Sequence, residues 1–242
     1  MVTLRSSHIP AVFLFAAALL IFTGAVGCSQ SEPTPVPATP RPQITAELAV
    51  EQSKVAMAAL DSFNFELTHD SGFTTLSSAL RLSRASGIVA TDSLDLEAEA
   101  NIGRAFVRVE AVVIRDRTWM TNPLTGVWSE IAPEDSPFSF LDPVKLVADI
   151  LGATQNPAYP FDGESTGEIT VTGSIPAPTL AALVGTVNPD AVPSVELTLD
   201  PANYVLKKII ISGNVQPEDE PNTVRVITLS EFDKPVSIEP PI

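Results

Sequence analysis

Cys28 is the sole cysteine of the 242-residue chain, and it directly follows the small residues Gly24, Ala25, Val26 and Gly27. A thiol with no disulfide partner in its own chain is open to covalent modification at sulfur. Histidine offers less. His8 lies in an apolar leader, so His69 alone remains, beside Asp70-Ser71-Gly72. A Ser-His-Asp arrangement would have to use it, and its place where a strand meets a turn reads as solvated. Zinc needs clustered Cys and His, and the chain has neither. Carboxylates gather at Asp92, Asp95, Glu97 and Glu99, and again at Glu218-Asp219-Glu220 between Pro217 and Pro221. The first set reads as the wet face of a strand and the second as a solvated turn; neither has EF-hand spacing. No glycine-rich phosphate loop is present. These residues point to a chain that is not an enzyme and holds no metal or cofactor.

The leader explains the cysteine. Arg5 precedes an apolar run from Ile9 to Phe22, about 14 residues against the roughly 20 a helix needs to span hydrocarbon. With the small residues after it, this makes residues 1–27 read as a secretory signal peptide. Phe22-Thr23-Gly24-Ala25-Val26-Gly27-Cys28 resembles a bacterial lipobox, with Ala25 where leucine is usual. The resemblance implies cleavage before Cys28 and attachment of diacylglycerol, with palmitate-like chains, to its sulfur. The mature chain is then exported and lipid-anchored, on the outer side of the cell membrane or within the envelope. Its net charge of −15, with no Lys/Arg cluster to neutralise phosphates, argues against nucleic acid as a partner. Anionic membrane surfaces repel such a body too, so the membrane is held through the acyl chains, two or more of which anchor stably.

The remaining chain must position whatever the anchor holds. Residues 28–43 carry prolines at 33, 35, 37, 40 and 42 and read as a polyproline-like tether. Residues 44–242 read as one domain. Its helical start runs from Thr45, the cap, to Asp61, with Leu48, Val55 and Ala59 in one row. Strands come next. Phe63, Phe65 and Leu67 alternate with polar residues, as do Leu94, Leu96, Ala98 and Ala100. A long strand is expected over 104–115 and two short ones around Asn122-Pro123-Leu124-Thr125-Gly126. Asp142-Pro143 caps a second helix through Leu146, Ile150 and Leu151, stopping at Gly152. A short helix over 179–184 and strands at 167–175, 195–199, 205–215 and 223–232 complete the pattern. The stretch from Asp70 to Leu80 has no clear period and reads either as a flap over a cavity mouth or as an irregular strand with edge residues. The order predicts an α+β fold, a curved antiparallel sheet with helices on one face.

The inward residues expected on that sheet are small: Val107, Val109, Ala111 and Val113 on the long strand, with Leu96, Ala98 and Ala100 beside it. Val171 and Leu197 extend the face. The helical residues available to cover it, Leu48, Val55 and Ala59, then Leu146 and Ile150, are modest in size. Interiors fill to crystal-like density, so either sheet and helices approach closely or a gap persists for an apolar ligand. Both alternatives stand on these residues.

Further features bear on the choice. Gly126-Val127-Trp128, Leu141-Asp142-Pro143 with its helix, and the terminal Leu229-Ser230-Glu231-Phe232-Asp233-Lys234-Pro235 together resemble the LppX/LprG lipoprotein family, itself similar to the LolA and LolB carriers. The resemblance spans roughly Thr45 to Pro241. It implies an antiparallel β half-barrel with helices on its concave face, enclosing an apolar cavity for acyl chains, and a role in carrying lipid or glycolipid between membrane and envelope. Lipid is then the expected ligand, lining falls to the small and branched residues just named, and a membrane transporter is admitted as a further partner. The competing expectation is an anchored, non-catalytic surface or assembly module with a fully packed core. Replacing Cys28 with Ala is expected to leave the chain unacylated and shift it from the detergent to the aqueous phase on cloud-point partition. Retention in the detergent phase would remove Cys28 from the account.

Overall fold

A computed structural model describes residues 44–77, 80–160 and 167–242; the signal peptide, Cys28 and the 28–43 tether lie outside the described residues. Thr45 caps helix α1 (Ala46–Ala58), its hydroxyl accepting from Leu48 N at 3.2 Å. Then come β1 (Ser62–Ser71), β2 (Thr74–Thr75), β3 (Leu80–Ala90), β4 (Ser93–Ile102), β5 (Ala105–Ile114), β6 (Arg117–Thr121) and β7 (Trp128–Ile131). Asp142 caps α2 (Pro143–Ala153), accepting from Lys145 N at 2.9 Å, with Pro143 supplying a first turn that needs no N–H donor. The chain continues through β8 (Gln155–Ala158), β9 (Ile169–Ser174), a 3₁₀ turn running into α3 (Ala181–Val184), β10 (Ser194–Leu199), β11 (Leu206–Ser212) and β12 (Val224–Ser230).

These strands form one antiparallel sheet in the order β7-β6-β5-β4-β3-β1-β12-β11-β10-β9-β8, with β2 added beside β3. It is two meanders, joined where β1 meets β12. The edges β7 and β8 do not pair, so the curved sheet stays open. The fold is the α+β half-barrel expected from the sequence. Inward side chains of both meanders and residues of all three helices form a single apolar cluster.

Several expectations need correction. The row Leu48, Val55, Ala59 faces outward, Leu48 at 44% and Val55 at 61% exposure. Helix α1 instead buries Ala46, Ala49, Val50, Ser53 and Met57. The polar Ser53 at the centre of that face hides it from a reading by apolar spacing, while the small side chains around it allow close approach to the neighbouring elements. Helix α2 does not stop at Gly152 but runs to Ala153. Residues 80–90, assigned no element from the sequence, form one of the longest strands. Its Gly87 is required by a close approach: an added Cβ would lie 2.1 Å from Asp95 O and 2.9 Å from the Phe65 ring. Thr74 is fully buried in β2, which pairs with β3, and Leu76 joins the core, so residues 73–77 form a strap hydrogen-bonded to the sheet, in line with an irregular strand.

Ser53 Oγ is buried without a hydrogen-bond partner among the described residues, a situation that costs about 1–3 kcal/mol. Ser53→Ala is therefore expected to raise the denaturation midpoint. Leu197→Ala, at a fully buried position, is expected to cost about 2–5 kcal/mol; Leu48→Ala should stay within about 0.5 kcal/mol. Urea titration followed by circular dichroism measures all three.

Candidate functional site

The sheet floor beneath α2 is built from large residues at the seam between the meanders. Phe65 and Leu67 of β1 lie opposite Leu229 and Ile227 of β12, and Ala85 of β3 pairs with Leu67 on the other side. Above them stand Pro143, Leu146 and Val147 of α2, with Phe138, Phe140 and Leu141 of the segment leading into that helix. Leu76 of the strap, Leu82 of β3 and Leu183 of α3 complete the wall. The space they bound carries no charged side chain. Its volume is about 20 Å³, little more than the roughly 10–15 Å³ that one water needs by the same measure.

Of the residues expected to line a cavity, Leu146 does so. Leu96, Ala98, Val109, Ala111, Ile150, Val171 and Leu197 are buried in the surrounding apolar cluster without reaching the space. Ala100 and Val107 are buried outside that cluster, and Val113 is half-buried. Leu48, Val55 and Ala59 face away from it. The small-residue strands β4 and β5 are thus closely packed, and the hollow sits instead under the Phe and Leu residues of β1, β3 and β12. The alternation at Phe63, Phe65 and Leu67 was the available signal, since it marks an inward row of large side chains. A wider hollow of about 670 Å³ opens on the opposite face, between the sheet and the C-terminal segment. Glu66, Asp95, Glu97 and Glu110 line it, and burial together with Glu97 pushes the Asp95 carboxyl above its ordinary value.

Next along the seam from Leu67 and Ile227 stands a polar cluster that the sequence reading missed. Arg225, at the start of β12 and opposite His69 in register, is 0% exposed. Its guanidinium donates to both oxygens of Asp219, each at 2.8 Å, to Thr74 Oγ1 at 2.9 Å and to the Phe73 carbonyl at 3.1 Å. Asp219, taken from the sequence as part of a solvated turn, is therefore a buried ion-pair partner; its oxygen also accepts from Val215 N and Gln216 N. His69 is likewise not solvated. Its Nδ1 lies 3.0 Å from the Ser83 carbonyl, which can only accept, so Nδ1 carries the hydrogen. Nε2 then accepts from the Thr74 hydroxyl at 3.0 Å. Both ring nitrogens are committed to structure, and the hydroxyl beside them, that of Thr74, is fully buried and also held by Arg225 Nε. Among the described residues no group of three or more His, Cys, Asp or Glu is arranged around a metal position.

A family model for the LppX_LprAFG lipoproteins matches residues 45–238. The chain belongs to the LppX_LprAFG lipoprotein family. Among solved structures, LprF from Mycobacterium bovis is similar at 19% identity and a TM-score of 0.59, covering 81% of this chain and 96% of that one. LppX from Mycobacterium tuberculosis is similar at 16% identity and a TM-score of 0.53, covering 80% of this chain and 98% of that one. At these identities the likeness establishes the half-barrel architecture. No curated protein sequence matches the chain.

The cluster makes this family member's stability depend on pH. Burial, then the Arg225 charge, holds His69 below its ordinary value of 6.5, against the opposing pull of the Ser83 carbonyl and Asp219. The unfolded chain therefore takes up the proton first, and stability should fall as pH drops below about 6.5. Burial alone would push the Asp219 carboxyl up, but the Arg225 and backbone hydrogen bonds hold it below its ordinary 3.8. Its contribution is present above that value and is lost as pH falls through the lower folded one. His69→Gln is expected to flatten the decline just below pH 6.5 while leaving the steeper acid loss. Arg225→Ala, which strands a buried carboxylate, should cost about 3–5 kcal/mol at neutral pH. Denaturant midpoints across pH 3–8 check both.

Proposed function

We propose that this chain is an envelope lipoprotein that takes lipid acyl chains between its sheet and α2, and carries lipid or glycolipid between membrane and envelope. Acylated Cys28 would hold it to the membrane, with the proline-rich tether giving the domain reach. The observation that carries this reading is the charge-free apolar space at the seam of the half-barrel. A ligand recognised there has apolar tails and no required polar group. Each methylene it buries is worth about 0.8 kcal/mol, so a few chains suffice for tight binding without hydrogen-bond specificity. Membership of a lipoprotein family and a lipobox-like N-terminus support the same reading. The role in this reading is non-catalytic, resting on apolar burial alone.

The small volume of the space, about 20 Å³, favours a second reading: an anchored assembly module whose core is simply packed. Organic extraction of the protein purified from its native membrane, followed by mass spectrometry, separates the two. The carrier reading expects stoichiometric acyl lipid, and fluorescent fatty acid uptake that Ala85→Leu, which fills the space, weakens by about tenfold. A lipid-free extract together with no uptake would leave the packed module.

A further inference from the structure

The space between sheet and α2 holds about one water. On the lipid-carrying reading, on which this inference rests, an acyl chain can occupy it only if part of the wall moves. Besides α2, three wall segments are not main sheet strands: the lead-in to that helix with Phe138 and Phe140, α3 with Leu183, and the strap with Leu76. Two of them, the strap and α3, meet at Gln216, which is 1% exposed. Its Oε1 accepts from Thr75 N at 2.8 Å, and its Nε2 donates to Thr75 O at 2.8 Å and to Val184 O at 3.1 Å. One amide thus ties the strap to the end of α3. The helix passes the restraint on. Gly185, at φ +72°, lies so close to Phe140 that an added Cβ would meet its ring at 3.1 Å, and Asp142 N donates to Ala182 O at 3.3 Å.

The Arg225–Asp219 pair beneath Gln216 is charged and doubly bonded, whereas the amide is neutral and reached by one Arg225 N–H at 3.2 Å. Charge-assisted bonds are roughly twice as strong as neutral ones, so the amide gives way first and the ion pair stays seated. We propose that Gln216 is a latch. Breaking its bonds to Thr75 and Val184 frees the Thr75–Leu76 end of the strap from α3, while Phe73 and Thr74 stay held by Arg225, and sets the rate at which acyl chains enter and leave the apolar space.

Gln216→Met in the full chain tests this, since methionine keeps the side-chain length and leaves Arg225–Asp219 intact. Hydrogen exchange is read at residues 75–76 and 183–185, and stopped-flow tracks uptake and release of an anthroyl-labelled fatty acid. Exchange at those residues is expected to rise by about tenfold with the β10–β12 amides unchanged, and both rates by about tenfold with little change in Kd. Unchanged exchange at those residues overturns the latch. So do faster exchange with unchanged rates, and faster release alone with Kd weakened in proportion, the mark of a lining residue. If the wild type takes up no fatty acid, the carrier reading fails, while the exchange readout still decides whether Gln216 fastens the wall. Should the variant not fold, the wild type suffices: the opening rate seen at Thr75 N–H should match the release rate of the probe, and release faster than that opening overturns the latch.

Discussion

Strands β1 and β12 come from opposite ends of the domain, and their pairing over Asn64–Ser71 makes one sheet of two meanders. Both the apolar space and the polar cluster sit on that seam. Phe65 and Leu67 face Leu229 and Ile227 across it, giving the floor of the space. His69 faces Arg225 two residues further along. Because side chains alternate with a period of two, a one-residue slip between these strands would turn the floor outward and Arg225 to the other face. The long-range pairing therefore specifies, in a single register, where the apolar space lies and which polar cluster stands beside it.

Burying an arginine under such a floor is costly unless its charge is met and its hydrogens are used. Here Asp219 meets the charge, and Thr74, Phe73 and Gln216 take remaining donors. Such a cluster contributes less to net stability than a hydrophobic packing of equal volume would, yet it allows few alternatives in geometry. It draws together the strap, the β11–β12 loop and the end of α3. The rest of the wall, α2 and the sheet, is held by ordinary packing. The half-barrel thus has a stiff side, and a side fastened by a few polar bonds.

Much of this was legible from residues whose effect is local. Thr45 and Asp142-Pro143 marked helix starts because capping is decided within one turn. The alternation over Leu94–Ala100 marked a strand because a half-wet sheet imposes it. The orientation of α1 was not legible, since its packed face centres on Ser53 and small alanines while Leu48 and Val55 face out. Strand β3 carries Gly87, needed for the Phe65 ring but poor as a strand signal. Asp219 read as part of a solvated turn and nothing local marked Arg225, because only the β1–β12 pairing and the folding back of the β11–β12 loop bring them together. The hollow was sought over the small residues of β4 and β5, but volume depends on what lies opposite, which no single strand records.

The account turns on the seam being where apolar ligand goes. A crystal structure of the chain grown with a terminally brominated fatty acid measures this directly through the anomalous signal of bromine. A peak enclosed by Phe65, Leu67, Leu146 and Ile227, with the strap and α3 displaced from Gln216, is the predicted result. Bromine confined to the outer surface, with α2 still closed on the sheet, would contradict it.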